Sequence, residues 1–259
     1  MFILSNGRMK RKNNTLYLTE KSGLEHPLPV EQISNIHFFG HIEFNTSLLH
    51  LLSKHQICLH TYNYYGYYDG TYVPRSSKVS GHLLVQQCAH VLDVKKRLYL
   101  AKSFVSSGLH HMLRNLRKSG SDTKVYIDTI DAYIPLLEEA QNIPALMGIE
   151  GKCRNVYYSA FKVLLKKDFT WKSRSKRPPR DPINAMISFG NSLIYTTILS
   201  EIYKTVLDPT VSFLHEPSRK RFSLCLDLSE IFKPLLVDPI IFSLVNNRRI
   251  SEVNFDFTD

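Results

Sequence analysis

The hydrophobic pattern changes period once along the chain, and that change limits the fold more than any other feature. Up to residue 75 the apolar residues come in short β-prone runs: Phe2–Leu4, Thr15–Leu18, Ile33–Phe39 and Ile57–Tyr62. Turn signals separate them at Asn6-Gly7, Asn13-Asn14, Gly40 and Asn63. One short helix interrupts the runs. Asn45 or Thr46 can cap it, and Leu48, Leu49, Leu51 and Leu52 give it an apolar side. In the tyrosine-rich stretch from Tyr62 to Tyr72, Gly66 and Gly70 suit hairpin turns. Its aromatics could stack on bases, but packing on a sheet face or a subunit interface is the commoner use of such a row and is the reading preferred.

From Val73 to Gly81 the composition is that of a linker. Beyond it the period is helical. Leu84, Cys88, Val91, Leu98, Ala101 and Val105 are spaced to share a face. A second helix is expected over Thr123–Ala140. A third starts near Pro144, with Leu146, Ile149, Cys153, Val156, Ala160 and Leu164 on one side, and a fourth spans Pro182 to Thr205. The predicted class is α+β: a small β-rich domain over residues 1–75, a linker over 76–82, and a larger all-α domain over 83–259.

Charge narrows the function. Lys and Arg total 33 against 23 Asp and Glu, a formal net charge of +10. A folded chain this basic meets a polyanion, nucleic acid or an anionic membrane surface. The membrane reading is weak, because no apolar run reaches the roughly 20 residues that a spanning helix needs, and the opening Met1–Ser5 is too short for a signal-peptide core. Cys58, Cys88, Cys153 and Cys225 are scattered, with no C-x-x-C pair. Reduced, mostly buried thiols in a cytoplasmic protein are expected.

Four segments can carry chemistry. Glu150 borders the apolar stripe of the third helix between Gly148 and Gly151, which remove bulk beside it so that a backbone or a ligand can approach. The plain alternative, a surface pair with Arg154 at i+4, is equally consistent with this segment. His215 lies just before Pro217 and the basic run Ser218-Arg219-Lys220-Arg221, placed where a phosphate would need it. Asp227 can end a strand or cap a helix, and Glu230 three residues on would share its helical face. Lys172, Arg174, Lys176, Arg177 and Arg180 crowd the segment before Pro182, where phosphate binding is the better reading given the overall charge. Asn184 and Ser188, at i and i+4, share a face of the following helix and could support a site. A histidine with two carboxylates suits Mn²⁺ or Mg²⁺ better than structural zinc. There is no P-loop, Rossmann fingerprint, Gly-x-Ser-x-Gly or H-E-x-x-H.

Taken together, Ile149-Glu150-Gly151, Ser212-Phe213-Leu214-His215-Glu216, Leu226-Asp227 through Glu230 to Pro234, and Pro178 through Asn184 and Ser188 to Gly190 resemble the signature of the CRISPR-associated Cas-one integrase. The resemblance covers most of the chain, and the segment from Leu4 to Leu16 looks like the subtype I-B branch. It implies an N-terminal β-domain that forms a homodimer and a helical domain holding Mn²⁺ or Mg²⁺ on Glu150, His215 and Glu230, with Asp227 supporting the site or a second ion. It also implies phosphoryl transfer on DNA, in which the 3′-hydroxyl of a prespacer attacks at the CRISPR repeat, and a small bridging partner, Cas-two. Arg177, Arg180, Arg219 and Arg221 are the leading candidates for phosphate contacts. Family members usually continue past Phe257-Thr258-Asp259, so the chain reads as C-terminally short. Two other functions stay open: a non-catalytic DNA-binding assembly subunit, and a metal-dependent nuclease of branched DNA in repair.

Overall fold

The structure, a computed structural model, describes residues 1–75, 80–165, 169–176, 178–217 and 222–256. It divides into two compact units: Met1–Ser80 with Ser200–Val206, and Gly81–Leu199 with Leu207–Asp259. The first is β-rich and the second helical, as the change of period predicts, although the short return segment Ser200–Val206 groups with the β-rich unit.

The first unit holds two four-stranded sheets. In one, β1 (Phe2–Ile3), β5 (Asn35–Phe38) and β7 (Cys58–Tyr62) run parallel, and β8 (Tyr68–Tyr72) closes the edge antiparallel to β7. The other has the order β4 (Glu25–Leu28), β3 (Thr15–Glu20), β2 (Gly7–Lys12), β6 (Ile42–Glu43). A two-residue turn at Asn13-Asn14 joins β2 to β3, with Asn13 at φ 56°, a conformation asparagine tolerates. Parallel β5 and β7 need a crossover, and α1 (Thr46–Lys54) supplies it, capped by Asn45 accepting from the Leu48 N–H. Leu48, Leu51 and Leu52 bury completely against Met9, Leu16, Ile36 and Leu59.

One expectation for this unit is corrected. Gly70 lies within β8 opposite Thr61 and makes no turn; the turn is at Gly66, whose φ is +75°. Strand β2 escapes the pattern because charge dominates it, Met9 being its one fully buried residue, and β4 because Glu25, His26 and Pro27 leave it no apolar run. The tyrosine row divides. Tyr62 is buried and stacks on Phe39 at 4.2 Å, whereas Tyr64 and Tyr65 stand out in the turn.

In the second unit Asp93 breaks the first expected helix by capping a new one, so that α2 (Gly81–Leu92) and α3 (Val94–Arg117) replace a single rod. Leu84 is exposed rather than on a shared buried face. The helix expected over 123–140 is likewise two, α4 (Lys124–Asp131) and α5 (Ile134–Glu139). Asn142 caps α6 (Ile143–Ser159), and Leu164 belongs to a separate turn, α7 (Phe161–Leu164). Then come α8 (Pro182–Tyr203), α9 (Ser223–Phe232), a π-helical turn over Lys233–Val237 and α10 (Asp238–Asn246). Asp227 is therefore interior to α9, neither a cap nor a strand end.

Helix α3 is the axis of this unit, packing on α6, α9 and the π turn. Two glycines permit the closest approaches. A methyl group at Gly108 would stand 3.0 Å from the Glu230 carbonyl oxygen, and one at Gly190 would stand 2.5 Å from a methyl of Val237. Gly148 and Gly151 do not serve this purpose, since a methyl at either would point into open space.

Buried imidazoles tie the first unit to pH. His37 and His60 stack at 4.8 Å; His60 hydrogen bonds with Thr71 (2.7 Å) and Ser200 (2.6 Å), and His37 with Tyr62 (2.9 Å). Burial, with lesser repulsion from nearby positive charge, lowers His60 to about 3 and His37 to about 4. Both are neutral in the fold, so the stability they confer is complete above the unfolded imidazole value near 6.5 and drains as pH falls from there toward 4 for His37 and toward 3 for His60. Urea midpoints should fall over that range. His60→Gln should be less stable at pH 7 but show a shallower acid limb; an unchanged limb would mean His60 takes up no proton on unfolding.

Candidate active site

Three segments of the helical unit meet around one guanidinium. Arg154, on α6, donates from Nε to Glu150 Oε1 one turn earlier (2.5 Å). Its Nη2 forms an ion pair with Glu230 Oε2 of α9. Lys233, where α9 passes into the π turn, donates to the other Glu230 oxygen at 2.7 Å. These side chains are largely withdrawn from water, with Glu150 17 %, Arg154 19 % and Glu230 12 % exposed. Burial by itself pushes the Glu230 carboxyl up, but Arg154 and Lys233 outweigh it and hold the group at about 2. The i, i+4 pair that competed with the site reading of Glu150 thus exists, and it also reaches a second carboxylate.

His215 is placed by Asp227. The fully buried Asp227 carboxylate accepts from the backbone N–H groups of Phe213 (2.6 Å), Leu214 (2.9 Å) and His215 (2.9 Å), and Oδ1 is also 2.9 Å from His215 Nδ1. With Nδ1–H donated to the carboxylate, the Nε2 lone pair is available to a ligand. Arg97 of α3 braces the same segment, donating to the Phe213 carbonyl (2.8 Å) and to Glu216 (2.7 Å). His215 lies near enough to Glu230 for the two side chains to influence each other electrostatically.

The donor types match a hard divalent cation: two carboxylates and an imidazole with its second nitrogen engaged. Among the described residues, however, no three His, Cys, Asp or Glu side chains are gathered closely enough to hold a metal. Arg154 stands between the carboxylates instead. Beneath it, the buried Tyr157 hydroxyl donates to Asp238 (3.0 Å) and accepts from Asn115 (2.9 Å); burial raises the Asp238 carboxyl to about 7.

The basic segment before α8 is partly structural. Arg174 donates to Asn184 (2.8 Å) and Ser188 (3.1 Å), so these two side chains hold Arg174 across one helical face. Asn184 is fully buried and also bonds Ser173 and Asp181. Lys172, Lys176 and Arg180 are exposed, while Arg177, Arg219, Lys220 and Arg221 lie outside the described residues. Sequence reasoning passed over Arg97 and Lys233, and it treated Arg154 as a bystander. A cation three residues after Glu230 was a visible signal for Lys233; nothing local pointed to Arg97.

Asp227→Asn should destabilise the helical unit by about 1–3 kcal/mol, because an amide cannot accept all four bonds and leaves buried N–H groups unpaired. Chemical denaturation followed at Trp171 would measure this. A cost below about 0.5 kcal/mol would contradict the bonding described.

The comparisons with known proteins agree with one another. The family model for CRISPR associated protein Cas1 matches residues 1–259. The CRISPR-associated endonuclease Cas1 3 of Thermodesulfovibrio yellowstonii is 49 % identical over 255 residues, covering 98 % of this chain and 78 % of that protein. A CAS1 protein from Thermotoga maritima superposes with a TM-score of 0.91 at 41 % identity, over 100 % of this chain and 82 % of that one. A casposase bound to integration product shares the fold at a TM-score of 0.83 and 22 % identity, over 100 % of this chain and 76 % of that one. A sequence match along the whole chain and a close structural match to a solved member place this protein in the Cas1 family of CRISPR-associated endonucleases.

Proposed function

We propose that the protein is a divalent-metal-dependent DNA endonuclease and integrase of CRISPR adaptation, inserting spacer DNA into the repeat array by transfer to a 3′-hydroxyl. The observation that carries this reading is the meeting of Glu150 and Glu230 on one cation, beside a histidine whose Nδ1 is already committed to a buried carboxylate. Glu150, Glu230 and His215 Nε2 would hold Mn²⁺ or Mg²⁺. The ion would supply polarisation of a phosphoryl oxygen and a lower pKa for the attacking hydroxyl. Asp227 keeps His215 in one tautomer and one orientation. Exposed Lys172, Lys176 and Arg180 offer charge to the DNA backbone. With water in place of the hydroxyl, the same centre would cleave DNA.

The proposed working form is a homodimer joined through the β-rich unit and bridged by a Cas-two-like partner, of the subtype I-B kind, acting in the cytoplasm. Among the described residues no helix is long and apolar enough to cross a membrane. A second reading, a DNA-binding assembly subunit without catalysis, draws support from Arg154 occupying the space between the carboxylates.

Transfer of a labelled oligonucleotide into a repeat-bearing plasmid, with the partner added and with or without EDTA, separates the two. Glu150→Ala and His215→Ala should each reduce Mn²⁺-dependent transfer by about a thousandfold or more while DNA binding persists, in line with loss of charge stabilisation at a phosphoryl centre. Transfer retained in both variants, or insensitive to EDTA, would refute the catalytic reading. Replacing Lys172, Lys176 and Arg180 with Gln should lower the slope of log affinity against log salt by about 2–3. An unaltered slope removes this segment from the DNA surface.

A further inference from the structure

The charges around Arg154 balance as they stand. Glu150 and Glu230 contribute two negative charges, Arg154 and Lys233 two positive, all within ion-pair contact. A divalent ion added between the carboxylates would place two further positive charges beside a guanidinium already there, in a setting mostly withdrawn from water. Coulombic repulsion is weakly screened in such surroundings. Arginine cannot relieve it by losing a proton, as lysine can, because its guanidinium stays charged at any working pH. Only movement of the side chain is left.

We propose that Arg154 is a built-in placeholder cation: it holds the Glu150 and Glu230 carboxylates together while the site lacks metal, and a divalent ion binds by displacing it. This rests on the metal-site reading above. Arg154 is on that view a positioning residue, and its two contacts set a competition that an ion must win. The two contacts come from different helices, α6 and α9, and from different nitrogens of one rigid fork, so an ammonium at the same place would not span both carboxylates equally well. Lys233 is the lesser competitor, since it reaches only Glu230 and does so from three residues away on its own helix.

A purely structural clamp and a placeholder predict opposite signs. Loss of a clamp would loosen both carboxylates and weaken metal binding; loss of a placeholder strengthens it. Mn²⁺ binding to the full chain, by calorimetry and by loss of the free-ion EPR signal, should be about tenfold tighter for Arg154→Gln than for the natural protein, the scale of removing one screened charge. Thermal unfolding gives a second readout. Arg154→Gln should unfold earlier than the natural protein in EDTA, and saturating Mn²⁺ should raise its midpoint by the larger amount. Should Arg154→Gln fail to fold, Arg154→Lys takes its place in the same titration and should bind Mn²⁺ several-fold more tightly than the natural protein. Equal or weaker Mn²⁺ binding by the variant that folds overturns the placeholder role. Glu150→Gln and Glu230→Gln keep the two failures apart. If they lose Mn²⁺ binding while the Arg154 variant gains none, only the placeholder falls. If they bind Mn²⁺ as the natural protein does, the metal site falls with it.

Discussion

The buried Asp227 carboxylate is the interaction on which the rest of the site depends. It sits at zero exposure inside a helix and is satisfied by three consecutive backbone N–H groups and one imidazole. A carboxylate so placed is stable only if those donors stay put. The loop 213–215 consequently has one conformation relative to α9, and Glu230, one turn further along that helix, inherits its relation to His215. Arg97 adds a second fixed point from α3. The glycine at 108 then lets α3 and α9 approach at the level of the Glu230 carbonyl. Two helices, α3 and α9, and a loop thus converge through a few directional contacts rather than through apolar packing alone.

Beside that scaffold lies a cluster of opposite charges at close quarters. An isolated carboxylate withdrawn from water would be raised in pKa; Glu230 is instead held at about 2 because Arg154 and Lys233 more than offset its burial. Such a cluster is weak evidence for stability, since desolvation consumes most of the Coulombic gain. On the function proposed above the cluster has a chemical use: acidic oxygens kept ionised and pre-aligned are what a cation-assisted phosphoryl transfer requires.

Much of the architecture could be seen in the order of residues. The period change near residue 75, the Asn13-Asn14 turn and the Asn45 cap are local signals with local causes, and each has its counterpart in the structure. Strand β2 hid because Arg8, Lys10, Arg11 and Lys12 mask its alternation, and pairing with β3 is what makes it a strand. Helix breaks at Asp93 and near Ala132 hid because the apolar spacing continues across them. The candidate site residues could be named from motif resemblance, but the contacts they make could not. That Asp227 would accept from backbone amides twelve to fourteen residues away, or that Arg154 would reach past its i−4 partner to another helix, is tertiary information with no periodic trace. Gly148 and Gly151 drew attention by flanking Glu150, whereas the glycines that permit close helix contact, Gly108 and Gly190, carry no such flag.

The π turn between Glu230 and Asp238 has a geometric consequence. It takes up one residue more than an α-helical turn would, and each residue of an α-helix advances the side chains by about 100°. Without that extra residue the whole of α10 would be rotated by roughly that angle, carrying Asp238, Ile241 and Val245 away from the interior they now face. The wide turn acts as a phase adjuster: it lets one continuous rod present Glu230 toward Arg154 at one end and an apolar stripe to the core at the other, two alignments that an unbroken 3.6-residue pitch would not have satisfied at once.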